Sequence, residues 1–136
     1  MGSTFTINTR DFGRRINDAA NDMRRKSVKA MGNVKDLAVY ESKLNAPIDE
    51  GHLTQDITGS VKENAKSVSA VVYVPHEAES SEYAVAMHEN HYNLGKHSKE
   101  KQEKDPAHTV GRKYITRAIE DNREEIKKYI EEELKL

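Results

Sequence analysis

The sequence contains no cysteine and no tryptophan, and only 2 of its 136 residues are phenylalanine. The absence of cysteine excludes disulfides, thiolate zinc sites and a cysteine nucleophile. No apolar run approaches the roughly 20 residues that a membrane helix needs, and the first residues lack the apolar stretch of a secretory signal. These absences fit a protein made in the reducing cytosol, or one that is stable without cross-links.

Phosphate-binding glycine motifs are also missing, because neither GxxxxGK[ST] nor GxGxxG occurs. The net charge is only −1 but is unevenly distributed. Residues 1–45 carry nine Lys/Arg against five Asp/Glu, whereas residues 46–111 carry six against eleven. Nucleic-acid-binding domains are usually strongly basic on one face, so this modest excess predicts no specific nucleic-acid partner. It equally suits one half of a complementary protein contact.

Helical periodicity extends over the first third of the chain. Between residues 11 and 44, apolar or small residues recur at steps of three, four or seven, which is the stripe of a long amphipathic helix. At 1.5 Å per residue this helix is about 50 Å long, more than such a core can cover, so we expect part of it to lie against something else, such as another subunit. A kink is expected at Gly32-Asn33. The stripe comprises Phe12, Ile16, Ala19, Met23, Ala30, Val34, Leu37 and Leu44.

Alternation of apolar and polar residues replaces this pattern after Pro47. Residues 57–63 and 67–75 each alternate, as strands with one buried face do, and the short polar link between them predicts a hairpin. Residues 82–89 place Tyr83, Val85 and Met87 at alternate positions, and we predict a third strand there rather than a helical turn.

The remaining sequence predicts a loop and a closing helix. Residues 90–108 are polar, charged and almost free of apolar anchors, so we expect a flexible loop. Helical periodicity resumes after Thr109, a plausible N-cap, with a bend or break at Asp121-Asn122. The prediction is one domain, residues 1–136, of the α+β class. A long N-terminal helix and a C-terminal helix pack on a small antiparallel β-sheet.

His88, Glu89 and His91 partly resemble a zincin motif, but a zincin places its histidines at i and i+4 on a helix. In a strand, residues three apart point to opposite faces. We therefore predict no metal site, no cofactor and no catalytic residue, and thus not an enzyme. A metal-dependent hydrolase that uses these three side chains is the less favoured alternative.

Two arginine pairs, Arg14-Arg15 and Arg24-Arg25, could bind phosphates. No aromatic platform for stacking bases accompanies them, so we interpret them as the solvated face of the first helix and as a candidate charged interface. A nucleic-acid-binding protein that uses this helix is the alternative hypothesis.

The stretch "NAPIDEGHL", residues 45–53, reads as a helix stop followed by a turn. Pro47 ends the helix, because the residue before proline avoids helical angles. Asp49 is expected to accept hydrogen bonds from the backbone N–H groups of Gly51 or His52. Gly51 supplies a conformation that side chains disfavour, and Leu53 returns to the core. The predicted structural turn comprises Ala46, Pro47, Asp49, Gly51 and Leu53.

The same stretch resembles the Ala-Pro-x-Asp-x-Gly-x-Leu-x-x-Ser-Ile motif of the tail-completion or head–tail joining proteins of long-tailed phages and prophages. Asp56-Ile57 follows it, with aspartate where that family commonly has serine. Tyr83-Ala84 with His88-Glu89 is similar to the family's Tyr-Ala-x-x-x-(His/Val)-Glu segment. Residues 111–118, "GRKYITRA", are similar to the start of its closing helix. The resemblance covers nearly the whole chain in order, although the long loop lacks the family's usual Gly-Thr.

The resemblance implies a non-catalytic virion protein at the tail–head junction, made in the host bacterial cytoplasm. Its implied partners are phage tail-tube and head-connector proteins, with no membrane. It implies a homo-hexameric ring on assembly, from a chain that can be monomeric in solution. The long polar loop would then order on docking. Its candidate contact residues are His91, Tyr92, Leu94, His97, Lys99 and Lys101.

Overall fold

The computed structural model describes residues 9–135, without the side chains of residues 9, 11 and 12. The predicted stripe residue Phe12 therefore lies outside the described side chains. The α+β class is confirmed. In chain order the elements are α1 (Thr9–Asn45), α2 (His52–Asp56), β1 (Thr58–Glu63), β2 (Val68–Tyr73), α3 (Ser81–Glu89), α4 (Lys96–Lys104), α5 (Tyr114–Glu120) and α6 (Arg123–Glu133).

The long first helix is confirmed, and it ends at Asn45, two residues before Pro47. It runs without a break through Gly32-Asn33, where a kink was expected. Its buried stripe contains Ala30, Val34 and Ala38. Upstream, residues 14–21 are all exposed, so the first part of the predicted stripe does not enter the core.

The predicted hairpin is also confirmed. Within the described residues, β1 and β2 form a two-stranded antiparallel sheet in which Val61 pairs with Ala70. Its turn is closed by the Asn64 side chain, whose Oδ1 accepts from the backbone N–H groups of Lys66 at 2.8 Å and Ser67 at 2.9 Å. Helix α1 packs against both strands and against α5 and α6.

The predicted third strand at residues 82–89 is wrong, because this segment forms helix α3. Alternating Tyr83, Val85 and Met87 fitted a strand, but Tyr83 and Met87 are also four residues apart and share one helical face. These two side chains pack against the core with Ala84, whereas Val85 is 66% exposed. Alanine is also the best helix former.

The segment predicted as an unstructured loop contains helix α4. Its buried residue is Ser98, not an apolar side chain, which is why a search for apolar anchors overlooked it. The Thr109 N-cap is also wrong: the closing helix starts at Tyr114, after Lys113 with a left-handed φ of 60°. The predicted break at Asp121-Asn122 is confirmed, because α5 and α6 are separate helices.

The core lies beside the C-terminal end of α1. It contains the buried residues Ala46, Leu53, Ile57, Ala84 and Tyr114, and apolar side chains from β2, α3 and α5 pack around them. Along residues 9–135, no helix is long and apolar enough to cross a membrane.

Gly59 marks the closest approach of β1 to α1. A Cβ atom at this position would lie 2.8 Å from Val39 Cγ2 and 2.9 Å from the backbone oxygen of Val71. We expect Gly59→Ala to lower the free energy of unfolding by about 1–3 kcal/mol through overpacking. Denaturant unfolding followed by circular dichroism measures the change.

Gly32→Ala provides the matched control. No described heavy atom outside its own helical turn lies within 4 Å of a Cβ placed there, so the gain in helix propensity should raise the free energy of unfolding by about 0.5–1 kcal/mol. A Gly59→Ala protein as stable as wild type would contradict the close packing of β1 on α1.

Candidate interaction site

The last turn of α1 and the residues after it are contacted by two later segments of the chain. Ala46 and Pro47 are buried, Asp49 is exposed, and Gly51 has a φ of 90°. Leu53 is 2% exposed, as predicted. The capping role of Asp49 is wrong, because no described side chain donates or accepts a capping hydrogen bond at the start of α2.

Ser98 of α4 contacts both polar backbone groups of Ile48. Its Oγ accepts from the Ile48 N–H at 2.8 Å and donates to the Ile48 carbonyl at 3.2 Å. Proline at position 47 prevents a further helical turn, so these two groups have no helical partners. A short side chain on α4 therefore replaces the missing helical hydrogen bonds.

Lys101, one turn further along α4, caps α1. Its Nζ donates to the carbonyl oxygens of Lys43 at 2.5 Å and Ala46 at 2.7 Å. A cation is favourable at the negative end of the helix dipole. Burial lowers the pKa of Lys101 to about 8, against a smaller opposing effect of Asp105, so the amine is mostly charged at neutral pH.

The segment between α4 and α5 completes this contact. The Gly111 N–H donates to the Asn45 carbonyl at 2.9 Å, and Asn45 Nδ2 donates to the Tyr114 carbonyl at 3.2 Å. Tyr114 is 1% exposed, and its hydroxyl donates to the Ala84 carbonyl at 2.7 Å. Burial raises the pKa of Tyr114 well above its usual range. We call this set the helix-end joint: Asn45, Ala46, Ile48, Ser98, Lys101, Gly111 and Tyr114.

His108 links the joint to the side of α1. Its Nε2 is 2.5 Å from Glu41 Oε2, and its Nδ1 is 2.7 Å from Asp105 Oδ2, a charge contact outside hydrogen-bond geometry. Burial alone would lower the pKa of His108, but Glu41 and then Asp105 outweigh it, so the pKa lies above its ordinary value of 6.5.

The candidate loop residues divide into two groups. His91, His97 and Lys99 are exposed. The other three face inward: the Tyr92 hydroxyl donates to the Met87 carbonyl at 2.7 Å, Leu94 is partly buried, and Lys101 caps α1. The prediction treated all six as available to a partner, whereas half of them hold the fold together.

The candidate arginines also divide. Arg14 and Arg15 are exposed on the first part of α1. Arg24 instead donates to the backbone oxygens of Asn64 at 3.0 Å and Ala65 at 3.3 Å, so it holds the hairpin turn against α1. Arg25 pairs with Asp22 on the same helix at 3.0 Å.

His88, Glu89 and His91 do not converge on a metal position. The His88 ring packs edge-on against Tyr114, with the ring centres 4.9 Å apart, and its Nδ1 lies 2.9 Å from Glu89. Lys113 and then His88 lower the pKa of Glu89 to about 2. His91 is exposed, and in the part of the chain that the structure describes no group of three or more His, Cys, Asp or Glu residues is arranged to hold a metal.

Asp56 is a structural residue that the sequence analysis did not assign. Its Oδ2 accepts from the backbone N–H of Ser80 at 3.1 Å and from the Ser80 hydroxyl at 2.7 Å. Ser80 is the N-cap of α3, so Asp56 links the end of α2 to the start of α3 and adds a negative charge where the helix dipole favours one. The sequence signal was the aspartate itself, at a position where the resembled family commonly has serine.

An apolar groove opens beside the joint, between α3, α5 and the end of β2. It has a volume of about 310 Å³. Val74, Val85 and Ile115 form its apolar walls, and Ala84 and Tyr114 also line it. The polar lining consists of His76, Ser81, His88, Glu89 and Thr116. We call it the α3–α5 groove.

Comparisons with protein-family models, with curated proteins and with solved structures gave no match to this chain. The function proposed below therefore rests on the geometry of the described residues and on the order of motifs along the sequence.

Lys101→Met tests the cap on α1. The substitution keeps an apolar stem of similar length but leaves the carbonyls of Lys43 and Ala46 without this donor. We expect the free energy of unfolding to fall by about 1–3 kcal/mol, measured by urea denaturation. Lys99→Met, on the exposed side of α4, is the matched control and should change it by less than about 0.5 kcal/mol. Equal effects of the two substitutions would contradict the capping role.

The His108 contacts predict a pH dependence of stability. Because the folded-state pKa is raised, the protonated ring stabilises the fold fully below pH 6.5, and this stabilisation is lost as pH rises through the folded-state pKa. The free energy of unfolding, measured by urea denaturation, should therefore fall more for wild type than for His108→Gln between about pH 6 and about pH 9. His97→Gln, on the exposed side of α4, is the control and should follow wild type. The same pH profile for His108→Gln and wild type would refute the linkage.

Proposed function

We propose that this chain is a non-catalytic assembly protein of a tailed-phage or prophage virion, which joins tail and head through protein–protein contacts. The observation that carries the proposal is the exposed first part of α1. We call residues 14–21 the arm. All eight residues are exposed, although they continue a helix that packs against the sheet and the closing helices further along.

The arm has the composition of a contact surface. Ile16 is 52% exposed, and Ala19 and Ala20 lie three and four positions after it, on the same helical face. Helical segments that dock into grooves present apolar residues at this spacing. An isolated helix of about two turns is marginal in water, so the arm depends on the rest of α1 for its structure.

The order of motifs along the chain supports the same role. Of the residues that carry the family resemblance, Ala46, Gly111 and Tyr114 belong to the helix-end joint, and Leu53 and Ile57 belong to the core beside it, rather than to a reactive site. A motif that stabilises the fold, and forms no reactive site, suits a protein that acts as a rigid connector. The proposed assembled form is a ring of six copies at the tail–head junction, built from chains that are monomeric in the host bacterial cytoplasm.

The two alternative functions have weaker support. A nucleic-acid interface along α1 would use both arginine pairs, but Arg24 is bonded to the hairpin turn and Arg25 to Asp22. A hydrolase would need His88, Glu89 and His91 to converge, and His88 instead packs on Tyr114.

The proposal predicts binding to tail components. The purified chain is mixed with tail-tube or connector protein encoded in the same genome, and imaged by negative-stain microscopy with light-scattering mass. We expect ring-shaped density on one end of the tube or on the connector. Ile16→Asp should weaken this binding by at least about tenfold, because a charge replaces the exposed apolar side chain of the arm.

Tyr40→Asp is the matched control, since Tyr40 is 61% exposed on the same helix but outside the arm. It should leave binding within about twofold of wild type. A wild-type chain that binds neither tubes nor connectors would refute the proposed function.

A further inference from the structure

We infer that the arm of one copy docks into the α3–α5 groove of the next copy, so that copies associate head to tail. The inference rests on the proposed ring-forming function and specifies the two surfaces that meet. It commits to a second copy of this chain as the occupant of the groove.

The two surfaces cannot meet within one chain. Ala46, which lies in the core beside the groove, is 30 positions after Ile16, and α1 is continuous between them as far as Asn45. At 1.5 Å per residue this is about 45 Å. A groove at one end of a rigid rod and an arm at the other end can only be joined by a different copy.

The surfaces have matching apolar parts. The arm presents Ile16 with Ala19 and Ala20 at i, i+3 and i+4, and the groove presents Val85, which is 66% exposed, beside Val74 and Ile115. Small alanine side chains let a helix approach a groove closely, and one branched side chain then acts as the anchor.

The surfaces also have opposite charges. The arm carries Arg14 and Arg15 against Asp18, a net charge of +1, and the described start of α1 as a whole, residues 9–26, has a net charge of +3. On the other side, Glu89 lines the groove, and Glu77 and Glu82 are exposed next to the lining residues His76 and Ser81. Glu89 is paired with Lys113 at 2.5 Å, and Glu79 lies 3.3 Å from His52 and lines a different pocket. The acidic charge beside the groove that no described ion pair balances therefore comes from Glu77 and Glu82. Such complementarity favours correct docking and speeds association.

A contact between two different surfaces of identical copies is heterologous. Repetition of such a contact generates a ring when the rotation between copies closes, and a filament when it does not. The inferred contact is therefore of the type that the proposed ring requires, whereas a contact between two arms would produce only a two-fold dimer.

Cysteine cross-linking tests the inference directly, because the wild-type sequence has no cysteine. Ile16→Cys and Val85→Cys proteins of different tagged mass are mixed under mild oxidation, both alone at high concentration and in the presence of tail tubes. Both positions are exposed, so the variants should fold, which circular dichroism checks. We expect a disulfide between the two variants in at least one condition.

Tyr40→Cys replaces Ile16→Cys in the control mixture. Tyr40 is 61% exposed on the same helix but outside the arm. If docking sets the local concentration, the yield of the disulfide between Tyr40→Cys and Val85→Cys should be at least about tenfold lower than that of the Ile16→Cys mixture. A yield no higher than this control in both conditions would overturn the inference. Dominant Ile16→Cys homodimers, or cross-links from Val85→Cys to the tail-tube protein, would overturn it as well.

A charge exchange supplies the second readout. Arg15→Glu in the Ile16→Cys protein should slow cross-linking by about tenfold at low salt, and Glu82→Lys in the Val85→Cys protein should restore it. Glu132→Lys on α6 is the control and should restore nothing. Failure of the cross-links while tubes are still bound refutes this inference alone, whereas cross-links without tube or connector binding refute the proposed function.

Discussion

The backbone carbonyl groups at the end of α1 need hydrogen-bond donors, and this need determines where α4 and the segment before α5 lie. Pro47 prevents another helical turn, so these groups need partners from elsewhere. Lys101 supplies two hydrogen bonds from α4, and Gly111 supplies one from the segment before α5. Each donor fixes the position of its own segment, and the two segments then complete the core around Tyr114.

This constraint explains why a polar segment becomes ordered. The segment around α4 has few apolar residues to bury, and mean hydropathy alone indicates disorder. The segment is ordered by its hydrogen bonds to backbone groups of α1 and its neighbours. A buried backbone group without a hydrogen-bond partner raises the free energy of the folded state. Gln102 adds three more hydrogen bonds, accepting from the Val110 N–H at 2.8 Å and donating to the carbonyls of His108 and Asp105. The segment around α4 is therefore held in place mainly by hydrogen bonds to backbone groups rather than by burial of apolar area.

Sequence patterns predicted the elements whose burial is apolar and periodic. The stripe through Ala30 and Val34 predicted α1, and alternation through Val61 and Ala70 predicted the hairpin. Helix α3 was missed because Tyr83, Val85 and Met87 fit the period of a strand, although Tyr83 and Met87 also share one helical face and Ala84 and Ala86 favour a helix. Helix α4 was missed because its inward face, Ser98, Lys101 and Gln102, is polar. Lys101 and Gln102 follow Ser98 by three and four positions, which is the spacing of one helical face. A search of the sequence would find this pattern only if it included polar residues.

The unbroken course of α1 has a mechanical consequence. The same 37-residue helix contains the arm at one end and the carbonyls of the joint at the other. Because a helix without a proline or π-bulge bends only gently, the two ends cannot reorient independently. A change in the direction of the arm would therefore be transmitted along α1 to its last turn, where Lys101 and, at Ile48, Ser98 bond the backbone.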